Sequence, residues 1–135
     1  MRHLLDREGL GGQVELESAG TGAWHLGSPP DPRAAAAAAE RGIALAGEAR
    51  RVAPQDFEHF DLIVAMDRDN RAELERRAPD DEARGRIRLL LEFDPVSRSA
   101  GALDVPDPYL GEAGFAHTFD LVQAGCEGLM DALRA

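Results

Sequence analysis

The C-terminal segment carries the clearest periodic pattern of apolar residues in the chain. Apolar positions recur there at spacings of three and four: Phe115, Phe119, Val122, Cys126, Leu129, Met130 and Leu133. This spacing places the side chains on one side of a helix. The sequence therefore predicts a C-terminal helix that packs this stripe, including Cys126, against a core.

Two other apolar runs are continuous, as expected of strands buried on both faces of a parallel sheet. One occupies residues 62–66, and the other occupies residues 87–93 and ends before Asp94 and Pro95. A third, shorter strand is predicted at residues 14–17, where apolar and acidic residues alternate before a small-residue loop at 18–22.

Helices are predicted before and between these strands. Residues 2–8 are predicted to be the end of a helix that Gly9, Gly11 and Gly12 terminate, and residues 69–78 are good helix formers that stop before Pro79. The clearest signature runs from Asp31 as N-cap through Pro32 and an alanine run to Gly42.

The alternation of strands and helices predicts one α/β domain over residues 1–135, a three-layer sandwich with a central parallel sheet between helices. Functional loops are expected at the carboxyl ends of the strands. Only three strands are predicted, and the two buried ones require neighbours on both sides. We therefore expect the complete sheet to need a further strand.

Composition narrows the classes of function. The net charge of -10 disfavours nucleic acid and anionic membranes as partners. The absence of Lys excludes Schiff-base chemistry and a phosphate-loop lysine. One Cys and four scattered His give no reason to expect a disulfide, a metal or a cofactor. No apolar stretch reaches about 18 residues and the N-terminus is charged, so we predict a cytoplasmic domain.

The segment from Asp104 to Tyr109 reads Asp-Val-Pro-Asp-Pro-Tyr, which by itself is typical of a surface turn. Other short motifs accompany it in a fixed order: Ser18-Ala19-Gly20-Thr21, Trp24-His25, Pro30-Asp31-Pro32-Arg33, Asp56-Phe57, and Met66-Asp67 with Asn70. Together they resemble the low-molecular-weight protein tyrosine phosphatase family over essentially the whole chain. The resemblance implies a four-stranded parallel sheet and a phosphate loop of the pattern C-x-x-x-x-x-R-S.

The resemblance also implies residue roles. Asp107 would be the general acid that protonates the leaving phenol and then the base that activates water. Trp24 and Tyr109 would wall the cleft for a phosphotyrosine protein or a small aryl phosphate. From the residues alone, a single Trp and a single Tyr are more often packing residues.

One departure from the family is large: the chain contains no Cys followed six positions later by Arg. Cys126 is predicted to be a packing residue of the last helix. We expect the first strand, the nucleophilic Cys and the phosphate-binding Arg to lie upstream of Met1. The chain as given lacks them and is therefore expected to be inactive. Smaller departures are Gly47, where relatives often have a His, and Leu110, in place of a second Tyr.

Several alternatives stay open at this point. The chain could be a non-catalytic pseudophosphatase or an interaction protein. An arsenate reductase would need further redox cysteines, and a phosphoarginine phosphatase would differ within the missing loop. Asp67 and Asn70 are interpreted as a helix cap, and the arginines between residues 68 and 88 as a solvated face with helix ion pairs.

Overall fold

The computed structural model describes residues 1–20, 32–40, 42–43, 50–106 and 114–134. Helices, two strands and one 3-10 helix follow one another in this part of the chain: α1 (Arg2–Arg7), α2 (Pro32–Ala39), α3 (Asp56–His59), β1 (Ile63–Ala65), α4 (Arg68–Arg77), α5 (Asp81–Gly85), β2 (Ile87–Leu89), the 3-10 helix (Leu90–Phe93), α6 (Pro95–Ala100) and α7 (Gly114–Arg134). The predicted helices at the N-terminus, at the alanine run, at 69–78 and at the C-terminus are confirmed. Asp31, the predicted N-cap of α2, lies outside the described residues.

Strands β1 and β2 pair in parallel, with Ile63 opposite Ile87 and Ala65 opposite Leu89. Helices α4 and α5 form the crossover between them. Ala65 and Leu89 are buried on this small sheet. The α/β class with a parallel sheet is therefore confirmed.

The prediction of one strand over 87–93 is wrong in its second half, where the chain turns into the 3-10 helix. The Glu92 carboxylate accepts a hydrogen bond from the Leu89 backbone N–H at 3.1 Å and lies 2.9 Å from Arg88 Nε. The Glu92 carboxylate therefore links the 3-10 helix to the last residues of β2. Leu90 and Leu91 stay fully buried, so their apolar character reflects packing and not strand pairing.

The strand predicted at residues 14–17 is also absent from the described structure. A single parallel bridge pairs Gly20 with Arg51 instead. Gly20 N–H donates to the Arg50 carbonyl at 2.8 Å, and Val52 N–H donates to the Gly20 carbonyl at 2.9 Å. Val14 and Leu16 are half-buried against a core cluster, whereas Glu15 and Glu17 are exposed. The alternation of apolar and acidic residues therefore reflects side-chain packing without a strand.

The outer edge of β1 has no strand partner among the described residues. Ile63 N–H donates to the Arg86 carbonyl at 3.0 Å, so the backbone groups of Val64 point away from β2. The Val64 side chain packs against the same core cluster as Val14 and Leu16. The further strand expected from the sequence stays a prediction.

Helix α7 covers the 3-10 helix. Cys126, Leu129 and Met130 are buried, as the apolar stripe predicted. Leu133 is 45% exposed, so the stripe loses contact with the core at its end. The side chain of Phe115 lies outside what the structure describes.

A close backbone approach fixes the packing of α7. A Cβ added at Gly128 would lie 1.7 Å from the Phe93 carbonyl oxygen. Only glycine lets the helix approach the 3-10 helix this closely.

The arginines of α4, α5 and β2 confirm the interpretation of a solvated face with helix ion pairs. Glu73 accepts from Arg76 and from Arg77 Nε, and Arg86 lies 2.7 Å from Glu82. Hydrogen bonding to Arg77 lowers the pKa of the half-buried Glu73 carboxyl. Exposed pairs of this kind contribute little to stability individually.

Candidate functional site

The three residues that the resemblance assigns to the site, Asp107, Trp24 and Tyr109, all lie outside the described residues. What the structure describes is the chain that leads into Asp107. Residues 101–106 run directly up to that position and are described in full. The support of the acid loop can therefore be built from contacts.

The first support is the core. Val105 is buried, and Leu103 packs against both hydrophobic clusters of the domain. Asp104 between them is exposed, so the segment alternates inward apolar and outward polar side chains. Val105 N–H donates to the Met66 carbonyl at 2.9 Å. This bond ties the segment to the residue that follows β1, at the carboxyl end of the strand.

The second support is the beginning of α4. The Asp104 carboxylate accepts a hydrogen bond from the Arg68 backbone N–H at 2.9 Å. The Arg68 side chain also contacts residues 101–106, because its Nη2 donates a hydrogen bond to the Gly101 carbonyl at 3.3 Å. Its Nε lies 4.0 Å from Asp104 Oδ1.

The third support is α7, where the Thr118 hydroxyl donates to the Pro106 carbonyl at 3.4 Å. Pro106 immediately precedes Asp107. Strand β1, helix α4 and helix α7 thus all hold the six residues ahead of the predicted acid.

Asp67 and Asn70, which also follow β1, confirm the capping interpretation. The Asp67 carboxylate accepts from the Asn70 backbone N–H at 2.7 Å and caps α4. Asp67 therefore satisfies a free N–H of the first helical turn.

The backbone segment that pairs with Gly20 is held by an ion pair that the sequence analysis did not identify. Arg50 Nη1 lies 3.0 Å from Asp56 Oδ2, and Nη2 lies 3.3 Å from Oδ1. The hydrogen bond to Arg50 lowers the pKa of the Asp56 carboxyl and raises the pKa of the guanidinium. The same carboxylate accepts from the Ala53 N–H at 2.8 Å. These contacts fix the backbone next to the Gly20–Arg51 bridge.

Cys126 has the surroundings of a packing residue. It is buried in α7, and this burial raises the pKa of the thiol. A reactive thiolate needs the opposite shift. Within the described ranges, no group of three His, Cys, Asp or Glu side chains could hold a metal ion. No described helix is both long and apolar enough to cross a membrane.

Sequence reasoning missed the contact between Arg68 and Asp104. The sequence places Arg68 on a solvated face and Asp104 in a segment typical of a surface turn, and it does not pair the two residues. The contact is tertiary: Arg68 begins the helix that follows β1, and Asp104 lies in the segment after α6. A separation of 36 positions leaves no local pattern that would pair them.

Comparison with known proteins gives consistent findings. The family described as low molecular weight phosphotyrosine protein phosphatase matches residues 1–135. The low molecular weight protein-tyrosine-phosphatase of Streptomyces coelicolor is 41% identical over 134 residues, which is 98% of this chain and 81% of that protein.

Solved structures agree with these sequence matches. The crystal structure of YfkJ from Bacillus subtilis superposes with a TM-score of 0.89 at 35% identity, over 98% of this chain and 81% of that one. A protein tyrosine phosphatase from Entamoeba histolytica, crystallised with Hepes in its active site, gives a TM-score of 0.89 at 32% identity. The match covers 98% of this chain and 83% of that one.

Proposed function

The chain belongs to the low molecular weight phosphotyrosine protein phosphatase family, and we propose that it forms the acid-loop part of an enzyme that hydrolyses phosphotyrosine. The observation that carries the proposal is the support of residues 101–106, which lead directly to Asp107. General acid catalysis requires a carboxyl group held at a set position. Contacts from β1, α4 and α7 supply such a fixed base for the loop.

The proposed reaction has two steps. In the first, a cysteine thiolate attacks phosphorus, an S–P bond forms and the P–O bond to the phenol breaks, while Asp107 gives its proton to the phenolate oxygen. In the second, Asp107 takes a proton from water, whose oxygen attacks phosphorus as the S–P bond breaks. Inorganic phosphate and the free thiolate result.

The thiolate must come from a segment that these 135 residues do not contain, because the only Cys is Cys126 and the residue six positions later is Ala132. We propose that the activity requires a strand and a C-x-x-x-x-x-R-S loop in addition to this sequence. Backbone N–H groups of such a loop hold phosphoryl oxygens, and its Arg binds two of them in a bidentate manner. Without it we expect no turnover.

Trp24 and Tyr109 are proposed to bind the phenyl ring of the substrate. Aromatic side chains stack favourably on an aryl group, and each here is the single residue of its type in the chain. The substrate class is a phosphotyrosine protein or a small aryl phosphate, and a cytoplasmic location is proposed with it.

The role of Asp107 is tested in an extended chain, in which a strand and a C-x-x-x-x-x-R-S loop precede residue 1. Asp107→Asn should lower kcat on phosphotyrosine by about 10²- to 10⁴-fold, because the leaving phenolate is no longer protonated. The loss should be much smaller for p-nitrophenyl phosphate, whose leaving group is a weaker base. The control is Asp81→Asn, since the Asp81 side chain is 99% exposed on α5. Equal losses on both substrates, or none, would refute the assignment.

The lack of a C-x-x-x-x-x-R motif in these residues favours one alternative, a non-catalytic interaction protein. It predicts that an extended, folded chain hydrolyses neither substrate. Turnover by the extended chain would support the phosphatase and refute the non-catalytic alternative.

A further inference from the structure

Asp104 makes a contact that its exposure would not suggest. Its side chain is 53% exposed, and a carboxylate there could remain fully hydrated. Instead it accepts a hydrogen bond from the first backbone N–H of α4, at 2.9 Å. That N–H is one of the donors that a helix cannot satisfy by itself, and the positive end of the helix dipole favours the negative charge.

Two aspartates thus accept different backbone N–H groups in the first turn of α4. Asp67, the residue adjoining the helix, bonds to the Asn70 N–H, whereas Asp104 comes from a segment 36 positions away. A local cap such as Asp67 stabilises only its own helix. A cap from a distant segment also holds that segment in place.

The remaining contacts fix the segment on both sides of Asp104. The Arg68 guanidinium donates to the Gly101 carbonyl on one side, and Val105 N–H donates to the Met66 carbonyl on the other. Leu103 and Val105 are anchored in the core. Only Val105 and Pro106 separate Asp104 from Asp107, and the Pro106 ring restricts the backbone further.

We propose that Asp104 is a positioning residue for the general acid, holding the loop to the N-terminus of α4 so that Asp107 reaches the leaving oxygen. This inference rests on the proposed function. Asp104 touches no reacting atom in it. Its effect passes through the backbone to Asp107, where a displacement of about 1 Å can lower a rate about 10²-fold.

The test uses the extended chain and compares phosphotyrosine with p-nitrophenyl phosphate. Asp104→Ala removes the acceptor and should lower kcat on phosphotyrosine by about tenfold or more, with a smaller loss on p-nitrophenyl phosphate and little change in KM. Asp104→Asn keeps the Oδ1 acceptor and should restore most of the rate. A purely structural role would lower both rates equally.

Asp80→Ala is the matched control, because Asp80 caps a different helix, α5, through the Ala83 N–H at 2.8 Å. It should reduce stability comparably and leave the ratio of the two rates unchanged. If Asp104→Ala behaves like Asp80→Ala while Asp107→Asn shows its leaving-group dependence, the positioning role is refuted and the proposed function stands. If Asp107→Asn shows no such dependence, the acid assignment fails, and the positioning role fails with it.

Discussion

The region around β2 and α7 and the region around Gly20 and Arg51 are held together in different ways. In the first, Leu89, Leu90 and Leu91 are fully buried, and α7 approaches the 3-10 helix at Gly128. In the second, one backbone bridge and the Arg50–Asp56 pair connect the segments. Non-directional apolar packing fixes the region around β2 and α7, whereas directed polar contacts connect the Gly20 and Arg51 segments to each other.

The acid loop depends on the first region and on β1 and α4, which pack against β2. Its anchors are Met66, the start of α4 and Thr118 of α7, together with Leu103 and Val105 in the core. The proposed catalytic geometry on this side of the domain therefore rests on well-packed elements. The outer edge of β1 and the half-buried Val14 and Leu16 lie where a further strand is proposed.

Truncation of a fully buried leucine in β2 and of a half-buried leucine that precedes Gly20 should give the largest difference in stability. Leu89→Ala leaves a cavity at a fully buried site, and we expect it to lower the free energy of unfolding by about 3 to 4 kcal/mol. Leu16→Ala removes a half-buried side chain and should cost about 1 kcal/mol. Urea unfolding followed by circular dichroism measures both. Similar losses for the two variants would remove the distinction between the regions.

Gly128→Ala should destabilise the packing of α7. The new Cβ would meet the Phe93 carbonyl oxygen, a backbone atom that cannot rotate away, so we expect a loss of about 2 to 3 kcal/mol in the free energy of unfolding. Gly85→Ala, which meets no atom within 4 Å at the end of α5, is the control and should be neutral or stabilising. An unfolding midpoint for Gly128→Ala that matches the control would contradict the close approach.

The Arg50–Asp56 pair should give the smallest effect, and it should depend on pH. The pKa of Asp56 is lower in the folded chain than in the unfolded chain, so its stabilisation is present above the unfolded pKa and is lost as pH falls through the folded pKa. Asp56→Asn should therefore lower the free energy of unfolding by about 1 kcal/mol at pH 7. The difference from the parent chain should shrink progressively below about pH 4. A difference that stays constant over this range would contradict the assignment.

The sequence predicts those elements whose signals are local. Helix α7 follows from its apolar spacing, and α4 from its helix formers and its Asp67 cap. Residues 87–93 could not be divided into a strand and a 3-10 helix, because a continuous apolar run has no period and the turn depends on the Glu92 carboxylate. The pairing of Arg68 with Asp104 depends on the tertiary fold and leaves no local signal. The roles of Asp107, Trp24 and Tyr109 come from the family resemblance and stay predictions.

Release of phosphate from p-nitrophenyl phosphate, compared among three proteins, tests the proposed phosphatase most directly. The proteins are the 135-residue chain, the chain extended by the strand and C-x-x-x-x-x-R-S loop, and the extended chain with the Cys of that loop replaced by Ser. We predict turnover by the extended chain alone. Turnover by the 135-residue chain, or none by a folded extended chain, would contradict the proposal.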